Sequence, residues 1–197
     1  MTMDVTVRDL AADEVAARLD EIAGLRIAVF RAFPYLYAGD RAYEAEYLRT
    51  YLESPDALEA GAFEGDRMVG CATAAPMEDH ADEFAEPLQA AGIAAHDVWY
   101  CGESVFLPEC RGKGIGHAFF DHREARGRAL GRQWSMFCSV IRPADHPARP
   151  ADYRPLDAFW RKRGYETLEG AVAHFPWADI GDEAETEKPM AVWLRRL

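Results

Sequence analysis

Long apolar runs are missing from this chain. No stretch approaches the roughly 20 apolar residues that cross a bilayer, and the opening Met1-Thr2-Met3-Asp4-Val5 has no basic segment followed by an apolar one. No membrane partner is expected, and a cytoplasmic location is. Positive charge is also scarce, with 22 Lys and Arg against 34 Asp and Glu and a net charge of −12. That balance argues against a nucleic-acid partner, because phosphate backbones need a basic surface. An acidic surface leaves room for cationic amines, although its plainest effect is solubility. The four cysteines, Cys71, Cys101, Cys110 and Cys138, make no C-x-x-C pair and have no histidines at zinc-finger spacing. Reduced thiols and no metal site are the expectation.

Two familiar phosphate loops are absent as well. Nothing supplies the Gly-Lys-Ser/Thr of a P-loop, and a dinucleotide fingerprint started at Gly112 meets His117 where its third glycine belongs. What is present is an apolar strand, Val105-Phe106-Leu107, running through Pro108-Glu109-Cys110 into Arg111-Gly112-Lys113-Gly114-Ile115-Gly116 and then a helix. Glycines at alternate positions let backbone N–H groups turn inward, the helix start adds unpaired N–H groups, and Arg111 and Lys113 add charge. A ligand bearing pyrophosphate fits that loop.

The pattern Arg-Gly-x-Gly-Ile-Gly after a strand, from about Trp99 to Gly127, resembles the GNAT superfamily of acetyl-CoA-dependent N-acyltransferases. A second match is the late helix Leu156 to Tyr165, with Phe159-Trp160-Arg161-Lys162-Arg163-Gly164-Tyr165. The resemblance implies a single α/β domain of α+β type over residues 1–197, with a mostly antiparallel sheet of about six or seven strands, flanked by helices and splayed at its centre. It implies acetyl-CoA as cosubstrate, its pyrophosphate on residues 111–116 and its pantetheine arm along Val105, Phe106 and Leu107. Phe159 packs on that arm or on the sheet.

The rest of the chain reads consistently with a mixed sheet. Val5 and Val7 predict a first strand, Asp13 an N-cap, and the spacing from Val15 to Phe30 one helix with a Glu14–Arg18 pair. Asp40 predicts the cap of a second helix carrying Tyr43, Tyr47 and Tyr51 and ending at Ser54-Pro55. Leu58 to Phe63 and Arg67 to Thr73 flank Gly65-Asp66 as a hairpin. A helix is expected around Ala81 to Ala91, interrupted at Pro87. Trp99 to Leu107 reads as the central strand, Gly114 to Gly127 as a helix and Ser135 to Ile141 as a buried strand. Residues 142–155, with four prolines, form a loop, and Val172 to Trp177 and Met190 to Leu194 are the last strands.

Acyl transfer from a thioester to an amine needs an uncharged nucleophile, a polarised carbonyl and a proton for the leaving thiolate. A backbone N–H near Phe106 suits the carbonyl. Glu103, on the central strand, is the candidate base. Many relatives carry a tyrosine acid where this chain has Trp160, whose indole N–H is too weak an acid. Tyr153 and Tyr165 are nearby replacements, with Cys138, His146 and solvent as alternatives; Tyr153 is the one carried forward. Phe33, Tyr35 and Tyr37 could line the acceptor site if they are not ordinary core. The expected partner is a small-molecule or peptide amine, and Met190 to Leu194 could pair or pack across a homodimer. The competing reading is a noncatalytic acyl-CoA sensor or interaction module.

Overall fold

Val5 and Val7 alternate with polar neighbours and form the edge strand β1 (Val5–Asp9). The structure, a computed structural model, describes residues 4–80 and 87–197. The helix expected after β1 is broken: α1 (Ala12–Ala17) stops at Arg18, and α2 (Leu19–Phe30) starts again beyond it. Asp13 is not its cap. Ala11 holds that position without a side-chain bond, and the Asp13 carboxylate accepts from the Glu14 N–H at 2.9 Å inside the first turn. The Glu14–Arg18 pair does form, at 3.5 Å.

Asp40 caps α3 (Arg41–Glu53), its Oδ1 accepting from the Tyr43 N–H at 2.7 Å. Asp40→Ala is therefore expected to cost about 1 kcal/mol in urea unfolding, with an unchanged slope against denaturant. Glu44, Leu48 and Tyr51 recur at helical spacing and form the buried face of α3.

The predicted hairpin is β2 (Leu58–Glu64) and β3 (Arg67–Pro76), with Gly65 at φ 60° in the turn. The central strand is not continuous as expected. It splits into β4 (Val98–Tyr100) and β5 (Ser104–Phe106): both pair with β3, but β4 also pairs in parallel with β6 (Trp134–Val140), whereas β5 has no second strand partner among the described residues. Between β5 and β6 in the chain lies α4 (Ile115–Ala129), and α5 (Asp157–Lys162) ends at Gly164, which takes φ 87°. The proline-bearing loop contains neither helix nor strand. The last hairpin, β7 (Glu166–Trp177) and β8 (Thr186–Arg196), outruns its apolar centres because its pairing extends to Trp177↔Thr186. Of the helix expected over 81–91, residues 81–86 lie outside the described residues and 87–90 are helical.

These strands make one sheet in the order β1-β2-β3-β4-β6-β8-β7, with β5 on β3. It has 8 strands where six or seven were expected, because the break counts the central strand twice. Only β4 and β6 run parallel among the pairings described. Met190 to Leu194 is bonded to a strand on each side and completes the sheet. One face packs Phe119 and Phe120 of α4 on Trp99, Phe137 and Trp193; the other packs Ile22, Leu25 and Leu48 on Phe63, Met68 and Val105. Side chains of this kind each contribute about 1.5–3 kcal/mol when fully buried. No described helix is long and apolar enough to cross a membrane.

Candidate active site

The sheet opens where β4 gives way to β5. The Cys101 N–H still donates to the Met136 carbonyl at 2.7 Å, but beyond that bond β5 stays with β3 while β6 continues with β8. On the β3 side, the Leu107 N–H donates to the Val69 carbonyl at 2.9 Å and the Glu103 carbonyl accepts from the Thr73 N–H at 3.1 Å. Alternation along a strand then turns the N–H and C=O of Ser104 and Phe106 the other way, into the opening. Arg123, buried on α4, braces the break by donating to the Glu103 carbonyl at 2.9 Å. The Val105 side chain is buried on the α2 side of the sheet, Phe106 is half-buried on the α4 side, and half-buried Leu107 packs against both clusters.

Beyond Leu107 a single tight turn, Pro108–Cys110, delivers the chain to the glycine loop. Gly112 and Gly114 take φ 78° and 82°, a region in which a side chain is strained, and the space where a Cβ would stand is open at both. Gly114 is the N-cap of the 15-residue helix α4, so the helix start faces the loop. Arg111 is exposed and forms no ion pair among the described residues, while Lys113 bonds Glu64 at 2.6 Å. Ile115 is buried under the loop, and a Cβ at Gly116 would stand 3.5 Å from the Phe159 ring. Phe159 also meets His117 at 4.8 Å between ring centroids, which ties α5 to the start of α4. A cradle of open glycine backbone, one free cation and a helix N-terminus suits a pyrophosphate group.

Glu103 lies in the break itself, 8% exposed, and is held from two sides. Arg26 of α2 pairs with its Oε1, and the Tyr47 hydroxyl donates to its Oε2 at 2.9 Å. Arg26 also pairs with Glu44 and lies 4.2 Å over the Tyr47 ring. Burial pulls the Arg26 guanidinium down, but Glu103, Tyr47 and Glu44 outweigh it and hold it well above its ordinary value. The Tyr51 hydroxyl continues the chain at 2.9 Å from that of Tyr47, and burial pushes both phenols up, so both stay protonated. Tyr51 can reach this point because residue 102 is glycine: a Cβ there would overlap its hydroxyl and come within 2.7 Å of the Thr73 hydroxyl.

Aromatic side chains border the far end of the opening. Tyr35 packs on Phe30 at 4.6 Å, and Tyr153 meets Phe33 edge-on at 4.7 Å. Arg142 straps this wall in place, donating to the Pro34 and Tyr35 carbonyls at 2.8 Å each and pairing with Asp179 at 2.7 Å. Burial first, and then neighbouring Cys138, Tyr153 and Glu103, push the Tyr35 hydroxyl up against the pull of Arg26, which brings these groups to one region. Tyr165 does not belong to it. Its hydroxyl is buried between Ser135, at 2.7 Å, and Glu124, at 3.2 Å, and burial pushes it far up. Trp160 is committed to the core between Phe137 and Trp193, at 5.0 and 5.1 Å.

The loop, the strand edge and Glu103 singled out in the sequence all lie along this opening, and Tyr153 lies in its aromatic border; Arg26, Glu44 and Glu59 were not singled out. Their signal was available: Arg26 interrupts Leu25 to Phe30, Glu44 sits beside the tyrosine stripe, and Glu59 stands in the otherwise apolar run Leu58 to Phe63. A charged residue at an inward position of a buried element needs a partner.

Comparison with curated proteins finds no match. Among solved structures, a ribosomal-protein-alanine N-acetyltransferase from Brucella melitensis superposes with a TM-score of 0.62 at 13% identity, over 98% of this chain and 99% of that one. An acetyltransferase from Streptococcus agalactiae gives 0.61 at 10% identity over 100% of both chains. A Salmonella typhimurium structure that holds acetyl-CoA gives 0.59 at 11% identity, over 98% and 94%. Such identities establish likeness of fold. The family model described as Acetyltransferase (GNAT) family matches residues 25–165, from α2 through the strand opening and the glycine loop to the end of α5, well over half the chain. This chain belongs to the GNAT acetyltransferase family and is an acyltransferase with acetyl-CoA as its acyl donor.

Proposed function

We propose that the protein transfers acetyl to a primary amine of a small molecule or peptide, by direct attack within a ternary complex. The observation that carries this reading is the opening beside β5, which leads without interruption into the glycine loop. Acetyl-CoA, when bound, supplies a thioester-activated acetyl group. Arg111, Lys113, Gly112, Gly114, Ile115 and Gly116 would hold the pyrophosphate through backbone N–H groups and charge, with Lys113 shared with Glu64. The backbone of Val105, Phe106 and Leu107 would carry the pantetheine arm, and Phe159 supports the loop from below.

Within that arrangement the Phe106 N–H donates to the carbonyl oxygen. Glu103 draws a proton from the acceptor ammonium, so that the amine reaches the opening uncharged. Tyr153 returns a proton to the departing sulfur. Its hydroxyl is pushed up by burial, with Arg149 opposing, so it carries a proton to give. The aromatic wall of Phe33, Tyr35 and Tyr153 borders the acceptor.

The test is release of free thiol from acetyl-CoA in the presence of polyamines, amino acids, aminoglycosides, and peptides offering a free N-terminus or lysine. Thiol release with at least one amine, and an N-acetylated product by mass, is expected. The core packing of Trp160 favours a second reading, a noncatalytic acyl-CoA sensor; tight acetyl-CoA binding with no turnover on any of these amines would select it.

A further inference from the structure

Three buried carboxyls lie around a single guanidinium on the α2–α3 face, and only two of them bond it. Glu44 and Glu103 both touch Arg26, but Glu59 does not. Glu59 is 6% exposed and neither of its carboxyl oxygens has a hydrogen-bond partner. A bare carboxylate in that position would be untenable, since desolvation of an ion is not repaid without a partner. Glu59 is nevertheless part of the same assembly. Its cross-strand partner in the β2–β3 register is Thr73, whose hydroxyl faces that of Tyr51 across Gly102, and Tyr51 leads through Tyr47 to Glu103.

We propose that Glu59 is a positioning residue for Glu103: it is the protonated member of the three-carboxyl cluster, and by staying neutral it leaves Arg26 divided between Glu44 and Glu103 alone. The cluster then holds one net negative charge next to the opening, where an acceptor ammonium arrives. This deepens the reading of Glu103 as the base and rests on it. Ionisation of Glu59 would add a second uncompensated charge and compete with Glu103 for the guanidinium.

The surrounding groups support this. Arg26 approaches from α2, Glu44, Tyr47 and Tyr51 from α3, Cys71 and Thr73 from β3, and Glu103 from the central strand. Burial first, and then the charge of Glu103, push the Glu59 carboxyl up to about 8, against the pull of Arg26. The Cys71 thiol is pushed far up by the same burial and stays neutral.

The proposal is tested by infrared difference spectroscopy of the full chain titrated from neutral to alkaline pH, following the C=O stretch of a protonated carboxyl. A band present at neutral pH, lost with a midpoint near 8 and absent in Glu59→Gln, is expected. In Glu103→Gln that midpoint should fall by about one pH unit, a tenfold change in proton affinity, because the neighbouring charge is gone. An unmoved midpoint in Glu103→Gln, or no band that Glu59→Gln removes, overturns the proposal. In a paired turnover assay the wild type should show an alkaline decline centred near 8 that Glu59→Gln lacks; a wild type without that decline, or its retention in Glu59→Gln, overturns the proposal too. The wild-type titration and its Glu103→Gln counterpart need no substrate. Unimpaired turnover in Glu103→Gln would therefore reject the base assignment separately from the linkage to Glu59.

Discussion

Glu103→Gln is expected to lower turnover by about 10²–10⁴-fold while leaving acetyl-CoA affinity unchanged. Glutamine keeps the volume of the side chain and still accepts from the Tyr47 hydroxyl, 2.9 Å away in the wild type. What it loses is the negative charge and the capacity to take a proton. The coenzyme loop lies beyond the other end of β5 and contributes none of the groups that hold Glu103, so binding and catalysis should separate cleanly. Initial rates of thiol release, set beside calorimetric affinity for acetyl-CoA, check the split. An unchanged rate would move the base elsewhere.

Arg26→Met should destabilise the fold by about 3–5 kcal/mol in urea unfolding. Arg26 is 6% exposed and is the shared counter-charge of Glu44 and Glu103, which are themselves buried. Methionine fills much of the space but leaves two carboxylates without a cation, and its loss of the stacking over Tyr47 adds to the effect. The cluster joins α2, α3 and the break in the central strand, so the effect should reach the site as well as the fold. A loss below about 1 kcal/mol would mean that the pair behaves like a surface ion pair.

Local chemistry made much of this architecture legible in the sequence. The cap at Asp40, the turn at Gly65 and the proline-bearing loop all depend on neighbours along the chain, and each lies where its residues predict. The strand-to-glycine-loop passage was legible for the same reason. The break after Tyr100 was not, because nothing in Cys101-Gly102-Glu103 says that a strand bonded to β3 in both halves will part from β6 after the first. Partnership in a sheet is a tertiary property. Nor could Arg26 and Glu103, 77 positions apart by their numbers, be paired by inspection. The loss of Tyr165 as a candidate acid has a similar cause: its hydroxyl is consumed by Ser135 and Glu124, from β6 and α4.

The central claim is that the glycine loop and the opening beside β5 hold acetyl-CoA, and calorimetric titration tests it most directly. Acetyl-CoA, coenzyme A, NAD and ATP would each be titrated into the wild type and into Gly114→Trp. That substitution puts a large side chain into the loop at a residue with φ 82°. Selective binding of acetyl-CoA and coenzyme A, abolished in a Gly114→Trp protein whose circular dichroism is native, is the predicted result. Absence of coenzyme binding to the wild type, or binding that survives the substitution, would contradict it.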